Sequence, residues 1–248
     1  MRGFRRSAGL LRSILMYYGV PLRNRALTRF YTQFACPGDL CFDIGAHVGN
    51  RLRALSRLGA RVVALEPQPD CMRLLRRWYG PHPNIELIEQ AVGAAPGTRI
   101  LFVSERTPTV TTISRNWITA VGATPGFAGV CWDRNMPVRV TTLDELIARY
   151  GEPTFCKIDV EGAELEVLRG LSHPLKALSF EYIPAATDIA VACVDRLREL
   201  GQYEYNWSPG ELPRLQSSAW LGPARMADLL RRMPLRERSG DVYARRLD

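Results

Sequence analysis

The sequence lacks the signatures of several common protein classes. It holds six cysteines but no C-x-x-C pair and no Cys/His cluster at zinc spacing. It also has no G-x-x-x-x-G-K-[ST] loop for nucleoside triphosphates and no G-x-G-x-x-G loop for dinucleotides. No apolar run reaches transmembrane length. These absences argue against a zinc module, a P-loop enzyme and a membrane-spanning protein, and the unpaired cysteines predict a reduced, cytoplasmic protein.

Negative charge is missing from the N-terminal end. Residues 1–35 contain seven Arg and no Asp or Glu, whereas residues 36–224 contain 19 basic and 21 acidic residues. A nearly neutral body argues against a nucleic-acid groove through its centre. We therefore do not expect a nucleic-acid partner. Contact between the arginine-rich N-terminus and an anionic membrane surface stays open as an alternative, and the sequence does not indicate an oligomeric state.

Two regions are expected. Between Leu10 and Phe34 apolar residues recur at helical spacing, and Pro21 interrupts the pattern. Residues 1–35 are thus predicted to form a helical extension that covers the main domain as a lid, and residues 36–248 to form that domain. The whole chain has 248 residues, of which 46% are hydrophobic, which suits one domain with a sizeable core.

The stretch LCFDIGAHVGN, from Leu40 to Asn50, predicts a strand, a tight turn and a helix. Gly45 suits a turn with positive φ, and Gly49 allows close approach of the backbone to a ligand or a strand. A second apolar run, 61–65, ends in Glu66, where a β-α-β unit places a carboxylate for ribose hydroxyls. Together these features predict a nucleoside site.

The remaining pattern alternates strands with helices, which predicts a parallel sheet with helices on both faces. Four acids follow strand-like runs, where ligands bind in open α/β sheets: Asp43, Glu66, Asp159 and Glu181. An acid at one such position is also a common helix cap. Segment 104–137 has little periodicity and is predicted to be a long loop, which in a compact domain is usually functional or mobile.

The acid ahead of the first glycine bears on the ligand. A carboxylate at Asp43 would repel a pyrophosphate but attract a cation. The amino group and the sulfonium of S-adenosylmethionine fit this requirement.

Several segments together resemble the FkbM-type methyltransferases: DIGAHVGN at 43–50, ALEPQP at 64–69, VTTLDEL at 140–146, KIDVEGAELEVLRG at 157–170 and SFEY at 179–182. The resemblance implies an α/β, Rossmann-like class I methyltransferase fold. Its sheet would have seven mostly parallel strands with helices on both faces and an antiparallel last strand. It also implies S-adenosylmethionine as the cofactor.

The resemblance implies roles for single residues. Asp43, Gly45 and Gly49 would surround the methionine moiety and Glu66 would bind the ribose, while Gln90 and Ala91 would line the adenine pocket. Asp159 and Glu161 would stand beside the methyl group. His47, where the family commonly has Asn, and Asn50 complete the cofactor-binding candidates; His47 either bonds the cofactor or faces solvent.

The reaction implied is O-methylation of a hydroxyl on a sugar, polysaccharide or secondary metabolite, so the partner implied is a small-molecule or glycan acceptor. The Thr, Ser and Trp residues of segment 104–137 are the candidate acceptor wall, because hydroxyls and aromatic faces suit sugar rings. Asp159, Glu161 and Glu181 are the catalytic candidates, because the hydroxyl proton needs a base or a metal. Asp159 and Glu181 are also candidate ligands for a divalent metal ion. An alternative for Asp159 is a helix cap. Alternative functions are a nucleic-acid methyltransferase and a non-catalytic, S-adenosylmethionine-binding regulatory protein.

Overall fold

The computed structural model describes residues 2–18 and 21–247, with side chains for 9–18 and 24–247. Within these residues the chain forms the following strands: β1 (Leu40–Ile44), β2 (Arg61–Leu65), β3 (Ile85–Ile88), β4 (Ala91–Val92), β5 (Gly97–Val103), β6 (Arg134–Thr141), β7 (Phe155–Ile158), β8 (Ala177–Tyr182), β9 (Tyr203–Pro209) and β10 (Gly240–Arg246). The helices are α1 (Arg2–Tyr18), α2 (Pro21–Tyr31), α3 (Asn50–Leu58), α4 (Pro69–Tyr79), α5 (Arg115–Gly122), α6 (Leu143–Tyr150), α7 (Glu164–Arg169), α8 (Thr187–Leu200) and α9 (Pro223–Arg231).

Seven strands form the main sheet in the order β3-β2-β1-β7-β8-β10-β9. Five neighbouring strands, β3, β2, β1, β7 and β8, run parallel to one another. Strand β10 runs antiparallel to both β8 and β9. The strand order reverses at β1 and β7, so the loops that follow these two strands meet at the same edge. The predicted fold class, including the antiparallel last strand, is confirmed.

The central strands are apolar because helices cover both faces of the sheet. On one face α2, α3 and α4 pack around Val62 and Phe155, and on the other α6, α7, α8 and α9 pack around Ile44 and Phe180. Two charged residues interrupt this pattern. Asp43 of β1 and Lys157 of β7 are both buried and lie side by side in the register.

The N-terminal helices differ in their packing. Helix α2 belongs to the core, because Leu27, Phe30 and Tyr31 are at most 4% exposed. In the turn that follows it, the ring of Phe34 stacks between Phe155 and Tyr243 at centroid distances of 5.1 Å. Helix α1 lies instead over the carboxyl edge of the sheet, where Tyr18 donates a hydrogen bond to the Val48 carbonyl at 2.8 Å. The two predicted helices are present, and Pro21 begins the second.

Segment 104–137 is more ordered than the predicted loop. It contains α5, whose N-terminus is capped by Ser114 Oγ accepting from the Trp117 N–H at 3.2 Å. Its last residues start β6, which pairs with β4 and β5 in a second, three-stranded sheet. Trp117 is 1% exposed, so long-range burial stabilises a helix that local periodicity does not show.

No helix in residues 2–18 or 21–247 combines the length and the apolar character needed to cross a membrane.

Replacing Phe34 by Ala tests whether α2 and the turn that follows it are part of the core. The change removes two ring stacks and leaves a cavity, so the free energy of unfolding should fall by about 3–5 kcal/mol. Urea denaturation followed by circular dichroism measures it. Arg29→Ala, at an exposed position of the same helix, is the matched control and should change stability by about 0.5 kcal/mol or less. Equal effects of the two changes would contradict a core role for α2.

Candidate functional site

The loop between β1 and α3 is held against the ends of two neighbouring strands. The N–H groups of Gly45 and Ala46 both donate to the Leu65 carbonyl at 2.9 Å. Gly45 has φ 86°, and a Cβ there would lie 1.8 Å from the Asp159 carbonyl oxygen. Only glycine therefore fits where this loop passes β7.

Glu66, directly after β2, anchors the same loop. It is 6% exposed, and its two carboxylate oxygens accept from the N–H groups of His47 and Gln68, each at 2.8 Å. Burial raises the pKa of Glu66 to about 7, against the opposing effect of these two hydrogen bonds. Glu66 thus carries a carboxyl group that titrates near neutral pH, and it lines a cleft between the main sheet and the second sheet.

His47 has left-handed backbone geometry, with φ 47°. Asn, Asp and His are the non-glycine side chains that adopt this region most readily. Burial lowers the pKa of His47 to about 4, so the ring is neutral at pH 7. Its Nε2 is buried without a hydrogen-bond partner among the described residues, and the Tyr17 ring meets it edge-on at 5.9 Å.

A first cleft of about 700 Å³ opens over these loops. Six of the predicted cofactor-binding residues line it: Gly45, His47, Glu66, Gln90, Ala91 and Asp159. Leu101, Thr109, Thr112 and Ile113 also line it. Leu101 was not predicted as a site residue, whereas Thr109 and Thr112 belong to the predicted acceptor wall but line the cleft of the cofactor candidates. The cleft thus joins the ends of β1, β2 and β7 to the second sheet.

Three other predicted residues do not line this cleft. Asp43 is 1% exposed inside the sheet, and burial raises its pKa to about 6 although Lys157 and Arg51 oppose this shift. Gly49 faces α4, because a Cβ there would lie 2.8 Å from Leu75 Cδ2. Asn50 Nδ2 donates to Glu211 Oε2 at 3.4 Å.

A second cavity of about 1790 Å³ adjoins the first. Its walls come from the loops after β7, β8 and β9, the segment before β10, and residues 124–127. Tyr17, Thr109, Asp159 and Glu161 line both cavities, so they stand at the junction. Glu181, at the end of β8, lines only the second.

Only part of segment 104–137, the predicted acceptor wall, lines the second cavity. Thr109, Val110 and Phe127 line the second cavity. Trp117 and Trp132 do not: Trp117 is buried against Gly162, where a Cβ would lie 2.1 Å from its ring, and Trp132 Nε1 donates to the Val110 carbonyl at 2.8 Å. The two tryptophans therefore pack behind the residues that line the second cavity.

The three catalytic candidates meet at the junction. Asp159, Glu161 and Glu181 each place a carboxylate oxygen within 4.8 Å of the others. Glu161 has φ 53°, a strained value for a residue other than glycine. The loop that carries it is held by Glu164, whose Oε1 accepts from the N–H groups of Val160 and Gly162 at 3.1 and 3.2 Å.

The three carboxyl groups lie in different electrostatic environments. Burial acts to raise the pKa of Asp159, but the Lys157 ammonium and the Arg51 guanidinium outweigh it and hold the pKa below its usual range. Burial and the neighbouring carboxylates raise the pKa of Glu161 and of Glu181 well above the usual range. Asp159 is therefore the carboxylate that stays ionised at neutral pH.

Sequence reasoning missed the charged network behind this cluster. Lys157 is fully buried, and its Nζ donates to Asp159 Oδ2 at 3.1 Å and to Asp241 Oδ1 at 2.9 Å. Arg51 pairs with Asp241 at 3.3 Å and with Glu211 at 2.8 Å. Lys157 stands inside the KIDVEGAE segment, and a charge within an otherwise apolar strand was the available signal.

Comparison with known proteins gives a family match. Residues 43–206 match the family described as "Methyltransferase FkbM domain". A curated relative, "Hexuronic acid methyltransferase AglP" of Haloferax volcanii, is 27% identical over 144 residues, which are 57% of this chain and 54% of the relative. The chain thus spans about half the length of this relative.

Comparison with solved structures gives more distant matches. The precorrin-6y C5,15-methyltransferase of Geobacter metallireducens is 14% identical with a TM-score of 0.47, covering 91% of this chain and 86% of that chain. A TehB-like SAM-dependent methyltransferase of Corynebacterium glutamicum is 9% identical with a TM-score of 0.45, covering 90% and 88%.

The two lysines of the chain allow a test of the buried network. Lys157→Met leaves Asp159 and Asp241 without their shared ammonium, and we expect stability to fall by about 3–5 kcal/mol. Lys176→Met, at an exposed position, should change it by about 0.5 kcal/mol or less. Chemical denaturation at pH 7 measures both. Similar stability of the two variants would show that Lys157 does not hold the carboxylates together.

Proposed function

The chain belongs to the FkbM methyltransferase domain family, and we propose that it transfers the methyl group of S-adenosylmethionine to a hydroxyl of a sugar, polysaccharide or secondary metabolite. The observation that carries this proposal is the junction of two cavities at Asp159 and Glu161. One cavity suits the cofactor and the other the acceptor. The Haloferax relative is named a hexuronic acid methyltransferase, which supports a sugar acceptor.

The first cleft supports the cofactor assignment. Glu66 would accept hydrogen bonds from the ribose hydroxyls, and Gln90 and Ala91 would line the adenine pocket. Gly45 and His47 would lie along the methionine moiety, with the methyl group beside Asp159. We assign Asp43, Gly49 and Asn50 to positioning the loop, because they lie outside the cleft.

The chemistry requires alignment and the removal of one proton. Methyl transfer is an in-line displacement: the acceptor oxygen forms a bond to the methyl carbon as the carbon–sulfur bond breaks, and the electron pair stays on sulfur. Holding both molecules in place supplies much of the rate. The proton leaves by one of two routes, either directly to Asp159 or after polarisation of the hydroxyl by a divalent ion on the carboxylate cluster.

Glu66 gives a prediction with a pH dependence. Its pKa of about 7 means that the carboxylate is protonated at lower pH and ionised at higher pH. An ionised Glu66 accepts ribose hydrogen bonds better, so cofactor affinity should rise between about pH 6 and pH 8. Glu66→Gln should flatten this rise, and Glu66→Ala should cost about 1.5–3 kcal/mol of affinity at pH 8. Isothermal titration calorimetry measures both. Wild-type affinity in Glu66→Ala would refute the ribose assignment.

The helix-cap alternative for Asp159 is wrong, because the N-cap residue of α7 is Ala163 and no side chain caps it. Asp159→Asn therefore separates a role in catalysis from a structural role as the partner of Lys157. In Asp159→Asn the carboxylate is lost at nearly constant shape, and we expect turnover to fall by about 100-fold or more. Cofactor affinity should change by only about threefold, because Glu66 and the adenine pocket are intact. Unchanged turnover would leave Asp159 a structural role only.

The acceptor is tested by labelling. The protein is incubated with methyl-labelled S-adenosylmethionine and a polar-metabolite and glycan extract, and labelled products are separated by mass spectrometry. We expect label on a hydroxyl oxygen of a carbohydrate or related metabolite, and none with Asp159→Asn. Label in nucleic acid or on nitrogen would contradict the proposal.

A further inference from the structure

We infer that Asp159, Glu161 and Glu181 bind a divalent metal ion that also coordinates the acceptor. The inference rests on the proposed function, because it places the acceptor oxygen in the second cavity. It selects the second of the two routes by which the acceptor proton leaves.

The donor set fits a hard cation. Three carboxylates from the ends of two adjacent strands bring one oxygen each within 4.8 Å of the others. Three oxygen atoms 4.8 Å apart each lie about 2.8 Å from their common centre. An inward shift of a few tenths of an ångström brings them to the bond lengths of about 2.0–2.6 Å that Mg²⁺ and Ca²⁺ make to carboxylate oxygen. No thiol or imidazole belongs to the cluster, which argues against zinc or copper.

A second observation points to a ligand. Glu181 Oε2 is sealed from solvent and has no hydrogen-bond partner among the residues that the structure describes. A buried carboxylate oxygen without a partner carries a large desolvation cost, so such atoms normally bond a ligand, a water or an ion. This oxygen belongs to one of the three carboxylates of the cluster.

The local charges favour a cation as that ligand. Among the described ion pairs, Lys157 contacts only Asp159 of the three, and it shares its charge with Asp241. Arg51 is engaged by Asp241 and Glu211. Glu161 and Glu181 therefore face each other and Asp159 without a described cation, and a divalent ion would offset their repulsion.

The position explains what the ion would do. Glu161 and Asp159 line both cavities, whereas Glu181 lines only the acceptor side. An ion among them would face the second cavity with coordination positions left for acceptor oxygens. Coordination lowers the pKa of a bound hydroxyl, so the proton can leave to solvent as the oxygen attacks the methyl carbon.

Direct Mn²⁺ binding tests the inference without an acceptor. Full-length protein is freed of metal by chelator, and Mn²⁺ is titrated while electron paramagnetic resonance follows the free ion. We expect one strong site per chain in the wild type. Glu181→Gln and Glu161→Gln should each weaken it by about 10-fold or more, because affinity follows the number of charged ligands. Glu237→Gln, an acid of the same cavity outside the cluster, is the matched control and should bind Mn²⁺ as the wild type does.

Circular dichroism confirms that each variant is folded, and calorimetry with S-adenosylmethionine is run on the same samples. Absence of a strong Mn²⁺ site in the wild type, or equal Mn²⁺ affinity in Glu181→Gln and Glu237→Gln, overturns the inference. If the cofactor still binds in that case, the proposed function stands without the metal. If the wild type does not bind the cofactor, the proposed function itself fails.

Discussion

The ammonium group of Lys157 connects the parts of this structure that meet at the site. It is fully buried in β7, and its Nζ bonds Asp159 at the end of the same strand and Asp241 in β10. Asp241 in turn forms an ion pair with Arg51 of α3. A charge taken out of water is costly unless its partners are close and well placed, so this network requires its strands and α3 to keep one relative position. The network thereby fixes the end of β7, the start of β10 and the start of α3 relative to one another beneath the two cavities.

The same network separates the roles of the acids above it. Lys157 and Arg51 keep Asp159 ionised, while Glu161 and Glu181 lie farther from these cations and have raised pKa values. Like carboxylates at this spacing cannot all ionise without a counter-charge. The chain thus holds one stable negative charge where the two cavities meet and two carboxylates whose charge depends on what binds there.

Much of the framework follows from local sequence, because buried parallel strands are apolar runs and their ends are marked by glycines and acids. These local patterns predicted a parallel sheet with helices on both faces, the turn at Gly45 and the acids that meet at the cavities, whereas the seven strands and the antiparallel last strand were implied by the family resemblance. The rest depends on distant contacts. The partner of Lys157 is 84 residues away in Asp241, and α5 exists because Trp117 packs on Gly162. Gly49 matched a ligand-binding pattern but faces Leu75, since the same backbone freedom serves helix packing as well as ligand approach.

The position of the acids has a consequence for catalysis under the proposed function. The sulfonium of S-adenosylmethionine is positively charged before transfer and loses this charge as the methyl group leaves. Ionised carboxylates beside it would therefore stabilise the reactant more than the transition state, which lowers the rate even though it tightens binding. A divalent ion held by Asp159, Glu161 and Glu181 would offset most of the negative charge of these carboxylates, and it would polarise the acceptor hydroxyl and so favour the loss of its proton. Three adjacent carboxylates at a methyl-transfer site are thus easier to understand as an ion-binding set than as three independent bases.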